Sequence, residues 1–287
     1  MEMLKGPRYQ RRILGLLILF STAVQPQGTT AREEGDIDAQ VLALSREERQ
    51  KLVEEMDKEE LETYLGRLRE STLIALCKRA CGEMKDYTAI LYKQERLRGR
   101  LQGVEKIQLK FRDSPRGIYM KWLDGPWEGR EALYSEQALG PSKVRLRERG
   151  ALGVLPVTLG VDGRLSGRGT NHKITETGLC HLIQMIEKDH IRAVAESDYQ
   201  RINHGFVELG GRTVYKMESV LSEDPSDGYY CYRVVHYIDL ARALDLRVEI
   251  YGWDNQLMEA FQYDQLKANQ GLTDRDFSPK NPAYRLR

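Results

Sequence analysis

The chain has 287 residues, with 44 lysines and arginines against 43 aspartates and glutamates, a formal charge of +1. So even a balance argues against a nucleic-acid binder, whose footprint would be a strongly basic domain. The length suits one domain with a helical prefix, long enough to bury a real core.

Residues 1–23 read as a secretory signal, with Lys5, Arg8, Arg11 and Arg12 as the positive start and Ile13 to Phe20 as the apolar core. Ser21-Thr22-Ala23 is a cleavage candidate and Thr29-Thr30-Ala31 a second. The apolar run falls short of the roughly 20 residues that span a bilayer. No cysteine precedes Cys77 to accept a lipid anchor, so the expectation is an exported, soluble, periplasmic protein. Removing a leader with four basic residues and Glu2 turns the formal charge from +1 to −2.

Residues 24–36, rich in Gln, Pro, Gly, Thr and charge, read as a linker. Residues 37–84 read as a helical prefix. Ser45-x-x-Glu48 has the form of a capping box starting a short helix that ends near Met56, and Asp57-x-x-Glu60 repeats the signal. One longer helix then places Leu61, Tyr64, Leu65, Leu68, Thr72, Ala75 and Leu76 on an apolar stripe, with Gly82 as terminator.

From residue 85 onward the pattern is that of a sheet. Tyr87 to Gln94 alternates, as does Lys106 to Arg112, and Asp113 to Gly117 supplies a turn into a strand from Ile118 to Leu123. Phe111, Leu109, Met120 and Trp122 then share one side of two antiparallel strands. Glu131 to Tyr134 runs back. Lys143, Arg145, Arg147 and Arg149 fall two apart and make a basic patch, read either as a charged edge strand or as a docking surface for anionic lipid or an envelope protein partner. Residues 150–171 are glycine-rich but lack Gly-x-Gly-x-x-Gly and any Gly-Lys-Ser/Thr ending, so they read as a flexible connection.

A helix from about Thr175 to Lys188 follows, with Leu179, Leu182, Ile183 and Ile186 on one stripe, placed to act as a lid. Strands are then expected at residues 198–209, 212–222, 229–239, 246–253 and 256–263, separated by tight turns that enforce antiparallel pairing. With the earlier strands the total is nine or ten, wide enough to curl.

The large apolar surface of Ile107, Leu109, Phe111, Ile118, Met120, Trp122, Val248, Ile250 and Phe261 exceeds what one short helix covers, which suggests a site for a hydrophobic ligand or lipid. Catalysis finds no support: no Gly-x-Ser-x-Gly or His-Glu-x-x-His occurs, and His172, His181, His190, His204 and His236 share no ligand spacing. His236, in a strand register, reads as a satisfied core histidine. Of the thiols Cys77, Cys81, Cys180 and Cys231, the first two stand one helical turn apart, awkward for a bridge. The spacing favours free or buried thiols, then one disulfide among three connectivities, and a metal least. No cofactor and no metal is expected.

The runs Tyr87 to Arg96, Pro115 to Trp122, Gly129 to Tyr134, Ile174 to Leu179, Asn269 to Phe277 and Asn281 to Tyr284 resemble the uncharacterised exported-domain family numbered 1571, over most of residues 84–287. More distantly, the strand, helix, strand order and the Phe277 to Pro282 ending resemble the LolA-like lipoprotein carriers. That resemblance implies an α+β fold, a strongly bent antiparallel sheet forming an incomplete β-barrel around helices, with an apolar cavity for acyl chains. The reading is therefore an exported, non-enzymatic binding protein for a lipid or acyl chain, with a cell-envelope scaffold or sensor domain as the alternative.

Overall fold

The structure is a computed structural model describing residues 30–153 and 155–287. The leader, and the part of the linker before Thr30, lie outside the described residues. The chain divides into two units, Met1–Asp36 and Ile37–Arg287.

Four helices precede the sheet: α1 (Thr30–Ala43), α2 (Arg46–Glu55), α3 (Lys58–Arg67) and α4 (Glu70–Gly82). The backbone is helical from Thr30, where composition gives a linker through residue 36. Both cap signals hold. Ser45 and Glu48 form the reciprocal capping box of α2, and the Asp57 side chain accepts the Glu60 amide at the start of α3.

The single long helix expected over residues 61–76 is in fact two helices, broken at Leu68 and Arg69. The break has a tertiary cause. Asp38 of α1 accepts the Arg69 amide at 3.1 Å and the Thr72 hydroxyl at 2.7 Å, acting as a cap supplied from outside α4. The Arg201 guanidinium donates to the Leu65 and Leu68 carbonyls, which takes up the open end of α3.

The strands are β1 (Asp86–Leu97), β2 (Arg100–Leu101), β3 (Glu105–Arg112), β4 (Gly117–Asp124), β5 (Glu131–Ser135), β6 (Lys143–Arg147), β7 (Val157–Gly160), β8 (Gln200–Leu209), β9 (Arg212–Val220), β10 (Arg233–Asp239), β11 (Leu244–Tyr251) and β12 (Leu257–Ala268). A one-turn helix α5 (Glu136–Leu139) follows β5, and α6 (Leu179–Glu196) joins β7 to β8. All twelve strands form one antiparallel sheet in the order β7-β6-β5-β4-β3-β1-β12-β11-β10-β9-β8, with β2 folded back on β1. The sheet is bent and not closed, since β7 and β8 stand at its two ends.

The expected shared face is present. Ile107 pairs with Trp122, Leu109 with Met120 and Phe111 with Ile118, and all six are buried. They join one core with Leu179 and Ile183 of α6 and Leu73, Leu76 and Cys77 of α4. Two expectations need correction. Strand β6, which carries Lys143, Arg145 and Arg147 while Arg149 follows it, is not an edge, because β7 pairs outside it; the glycine-rich segment thus supplies an edge strand where a flexible connection was expected.

Helix α6 begins at Leu179 rather than Thr175 and continues to Glu196. Its start is delayed by Gly178 at φ 142°, where a Cβ would lie 2.9 Å from the Phe111 ring, and the Leu179 amide is taken by the Tyr87 hydroxyl at 3.1 Å. The helix runs past Lys188 because His190 and Ala193 prolong its buried stripe.

Strand β4 is buried on both faces. On the outside, Tyr119 and Leu133 pack with Phe277, Tyr284 and Leu286 of the C-terminal segment, and the Tyr119 and Tyr284 rings stack at 3.7 Å. Gly117 is what lets this segment close down, since a Cβ there would stand 2.5 Å from Phe277 Cγ. Gly117→Ala should therefore cost about 1–3 kcal/mol through overpacking. Urea unfolding checks it: an unchanged midpoint would mean that the segment is not seated on β4.

Candidate functional site

Along the inward face of β1 the series Tyr87, Ala89 and Leu91 is apolar, and then Lys93 and Glu95 break it. The register sets Lys93 across from Glu105 on β3 and Glu95 across from Glu259 on β12. Four charged side chains thus enter one buried neighbourhood. Burying them is tolerable only when each charge is paired and each lone pair has a donor. Lys93 Nζ lies 2.8 Å from Glu95 and 3.5 Å from Glu105, while the Trp122 indole donates to Glu105 at 2.7 Å.

The remaining donors come from the end of the glycine-rich segment. The Thr170 hydroxyl and the Asn171 amide donate to Glu95 at 3.0 and 3.3 Å, and the Asn171 side chain donates to Glu259 at 3.1 Å. His172 Nε2 donates to the other Glu259 oxygen at 2.9 Å. Beside them Arg130 lies over the Trp122 and Trp127 rings, 5.2 Å from each centroid, and donates to the Arg168 carbonyl at 3.0 Å. Gly169 lets this segment cross Trp127 closely, a Cβ there falling 2.4 Å from the indole.

These contacts set the protonation states. Burial alone would push the Glu259 carboxyl up, but hydrogen bonds from His172, Asn171 and Tyr230 outweigh it and hold the group below its ordinary range. Burial would lower His172; the Glu259 bond and the charges of Glu259, Glu95 and Glu176 overcome it and raise the imidazole. Burial also dominates at Glu105, whose carboxyl is raised although Lys93 and Trp122 oppose it.

Glu95, His172 and Glu259 bring their donor atoms within 4.8 Å of one another, the spacing of a metal-ligand set. The chemistry around them fits an ion pair better. Every oxygen of the two carboxylates already accepts a hydrogen bond, and Lys93 supplies the positive charge that an ion would bring.

Above this polar floor lies a half-open cavity with about 900 Å³ of empty space, mouth included, of which about 90 Å³ is open to the centre of a water molecule. Its apolar walls include Leu91, Met120, Trp122, Val144, Leu146, Leu182, Met185 and Phe261; its polar groups include Lys93, Glu95, Glu105, Arg130, His172 and His181. A few convergent polar groups in an apolar cleft are the usual form of a small-molecule site.

A protein-family comparison matches residues 84–286 to the family described as a protein of unknown function, DUF1571. The chain belongs to that family. No curated protein matches it. Among solved structures, the Mycobacterium tuberculosis lipoprotein LppX is 12% identical, with 71% of this chain and 99% of that one covered, at a TM-score of 0.43. MucB in the Pseudomonas aeruginosa MucA/MucB complex is 15% identical, with 72% and 60% covered, at 0.41. A LolA-superfamily protein from Nitrosomonas europaea is 11% identical, with 72% and 96% covered, at 0.31.

In this DUF1571 chain, Met120, Trp122 and Phe261 of the nine expected ligand-face residues line the cavity. Ile250 lines a second, smaller cavity beside His190. Ile107, Leu109, Phe111, Ile118 and Val248 are packed into the core instead. Of the lid stripe, Leu182 reaches the cavity, while Leu179, Ile183 and Ile186 pack against the core. The basic residues all lie off the buried face, yet two are engaged. Arg145 donates to Leu286 O and Thr158, and Arg149 to Pro126 O, leaving Lys143 exposed and Arg147 half-buried. His236 is a core histidine, paired through Nδ1 with Asp245 at 2.6 Å.

The His172–Glu259 pair ties the glycine-rich segment to the sheet, and its pH window follows from the two shifts. His172, raised above 6.5, contributes stability that is complete below that pH and lost as pH climbs through the folded value. Glu259, held below 4.5, contributes above that pH and loses it as pH falls through its folded value. Both contributions are thus complete from about 4.5 to 6.5 and fade outside that window as pH passes the folded values. Ring-proton NMR should show His172 titrating above 6.5 and Glu259→Gln bringing it down; a wild-type value at or under 6.5 overturns the latch.

Proposed function

We propose that this chain is an exported, non-enzymatic binding protein whose cavity holds the hydrocarbon part of a lipid or acyl-bearing ligand. The observation that carries this reading is the cavity, with apolar walls from β4–β6 and α6 and an ionic cluster at its floor. Two of the floor's carboxylates, Glu95 and Glu259, accept a hydrogen bond at every oxygen and so offer no free base. Buried Arg130 Nε has no hydrogen-bond partner, so a ligand carrying an accepting group would satisfy it. Export is supported by the Lys/Arg start and apolar core of residues 1–23, and no described helix is long and apolar enough to cross a membrane.

The packing of five of the nine face residues into the core, away from either cavity, favours a second reading, a cell-envelope scaffold or sensor domain acting through protein contacts. On that reading exposed Lys143 and half-buried Arg147 belong to a protein or membrane surface. The two readings part on whether anything occupies the cavity.

Native mass spectrometry of the full chain purified from the exported fraction, followed by lipid extraction, is expected to find a co-purifying amphiphile. Ala132 is buried in the cavity wall. Ala132→Phe should displace about four methylenes at about 0.8 kcal/mol each, an affinity loss on the order of 100-fold. Ligand retained in that variant places it elsewhere, and a protein repeatedly free of ligand moves the case to the second reading. The same preparations check export: a mature terminus after Ala23 or Ala31 supports it, and an intact Met1 in the cytoplasm overturns it.

A further inference from the structure

Helices α4 and α6 lie antiparallel, in a register set by Glu70 at the start of α4, 3.5 Å from His190 near the end of α6, and continued where Ile74 and Cys77 border a small cavity with Ile186 and Ile183. Carrying that register to the last turn of α4 sets Cys81 against the first turn of α6, where Cys180 stands. The two thiols are close enough for Cys180 to act directly on the Cys81 thiol, and both lie in the neighbourhood of Tyr87 and Tyr263.

The other two cysteines have different neighbours. Cys77 borders a small cavity with His236 and Asp245, and Cys231 belongs to a separate apolar cluster with Val234, Val248 and Ile250. A disulfide needs Cβ atoms about 4 Å apart with converging directions, which facing helix turns provide and successive turns of one helix do not.

We propose that Cys81 and Cys180 are a built disulfide site, closed by a disulfide-class oxidant such as oxidised glutathione or an oxidoreductase. Each thiol gives up its proton, an S–S bond forms between the two sulfurs, and the two electrons reduce the oxidant's disulfide to two thiols. The inference rests on the export reading only for where the oxidant is met. Closure ties the end of α4 to the cavity rim, because Thr177, Gly178 and Leu182, on either side of Cys180, line the cavity. Redox state then decides whether the rim is held to the helical prefix.

In the folded chain Cys180 and burial push the Cys81 thiol up, so little thiolate is present to start the exchange. The test therefore refolds the full chain from denaturant in a glutathione redox buffer. Non-reducing digestion with trypsin, which cuts at Lys78 and Arg79 between Cys77 and Cys81, then locates any bridge. Expected are a Cys81–Cys180 peptide pair, two of the four thiols left titratable, and the same bridge in a Cys77→Ser/Cys231→Ser variant. Four titratable thiols, or a bridge through Cys77 or Cys231, overturns the proposal. Protein drawn from cells in reduced form that still closes this bridge on refolding supports the pairing and removes the export reading instead.

Discussion

The pairing of β1 with β12 is the constraint on which the rest depends. The chain lays down β1, β3, β4, β5, β6 and β7 outward to one end of the sheet, crosses through α6 to the other end, and returns through β8, β9, β10 and β11 to set β12 beside β1. Two antiparallel meanders are thereby joined at a seam between residues far apart in sequence. An 18-residue helix spans about 27 Å, and as the connection between opposite ends it must pass over one face of the sheet. That face becomes the core. The seam also creates the polar floor, since Glu95 and Glu259 meet only because β1 and β12 pair there.

Much of the architecture is legible in the sequence because it rests on short-range patterns. Alternation marks most strands within a few residues, the capping residues Ser45 and Asp57 mark two helix starts, and the facing of Phe111, Leu109, Met120 and Trp122 follows from a tight turn between two alternating runs. Features fixed by distant partners are not legible. The break between α3 and α4 depends on Asp38 and Arg201, neither of which belongs to either helix. The outer layer on β4 depends on Phe277 and Tyr284, which lie more than a hundred residues downstream and carry no periodic signal. The late start of α6 depends on the room that Gly178 leaves for Phe111.

The candidate site shows the same division. Its apolar walls follow from periodicity, but the selection among apolar residues does not, because Ile107 and Leu109 of β3 pack into the core while their cross-strand partners Trp122 and Met120 on β4 border the cavity. The polar floor left a signal of its own: Lys93 and Glu95 stand at the positions of the β1 alternation otherwise taken by Tyr87, Ala89 and Leu91, and Glu259 stands in the same parity as Phe261 and Tyr263. A charge at an inward position demands a partner of opposite charge nearby, and the glycine-rich segment that reads as a mere connection provides donors for it.

Such a floor constrains any occupant. Replacing a buried ionic cluster by apolar side chains is often neutral or stabilising, so the cluster at Lys93, Glu95, Glu105 and Glu259 is not explained by stability alone. A wholly apolar floor would let a hydrocarbon slide to any depth; a saturated ionic one stops it, because a methylene pressed against Lys93 or Glu95 would strip hydrogen bonds without replacing them. The space open to the centre of a water molecule, about 90 Å³, is small beside a long acyl chain. A longer chain would therefore have to extend out of this half-open cavity or displace part of its wall, such as the 169–178 segment. Displacing that segment would break the His172–Glu259 contact, so the length of an occupant and the protonation of His172 would bear on the same segment.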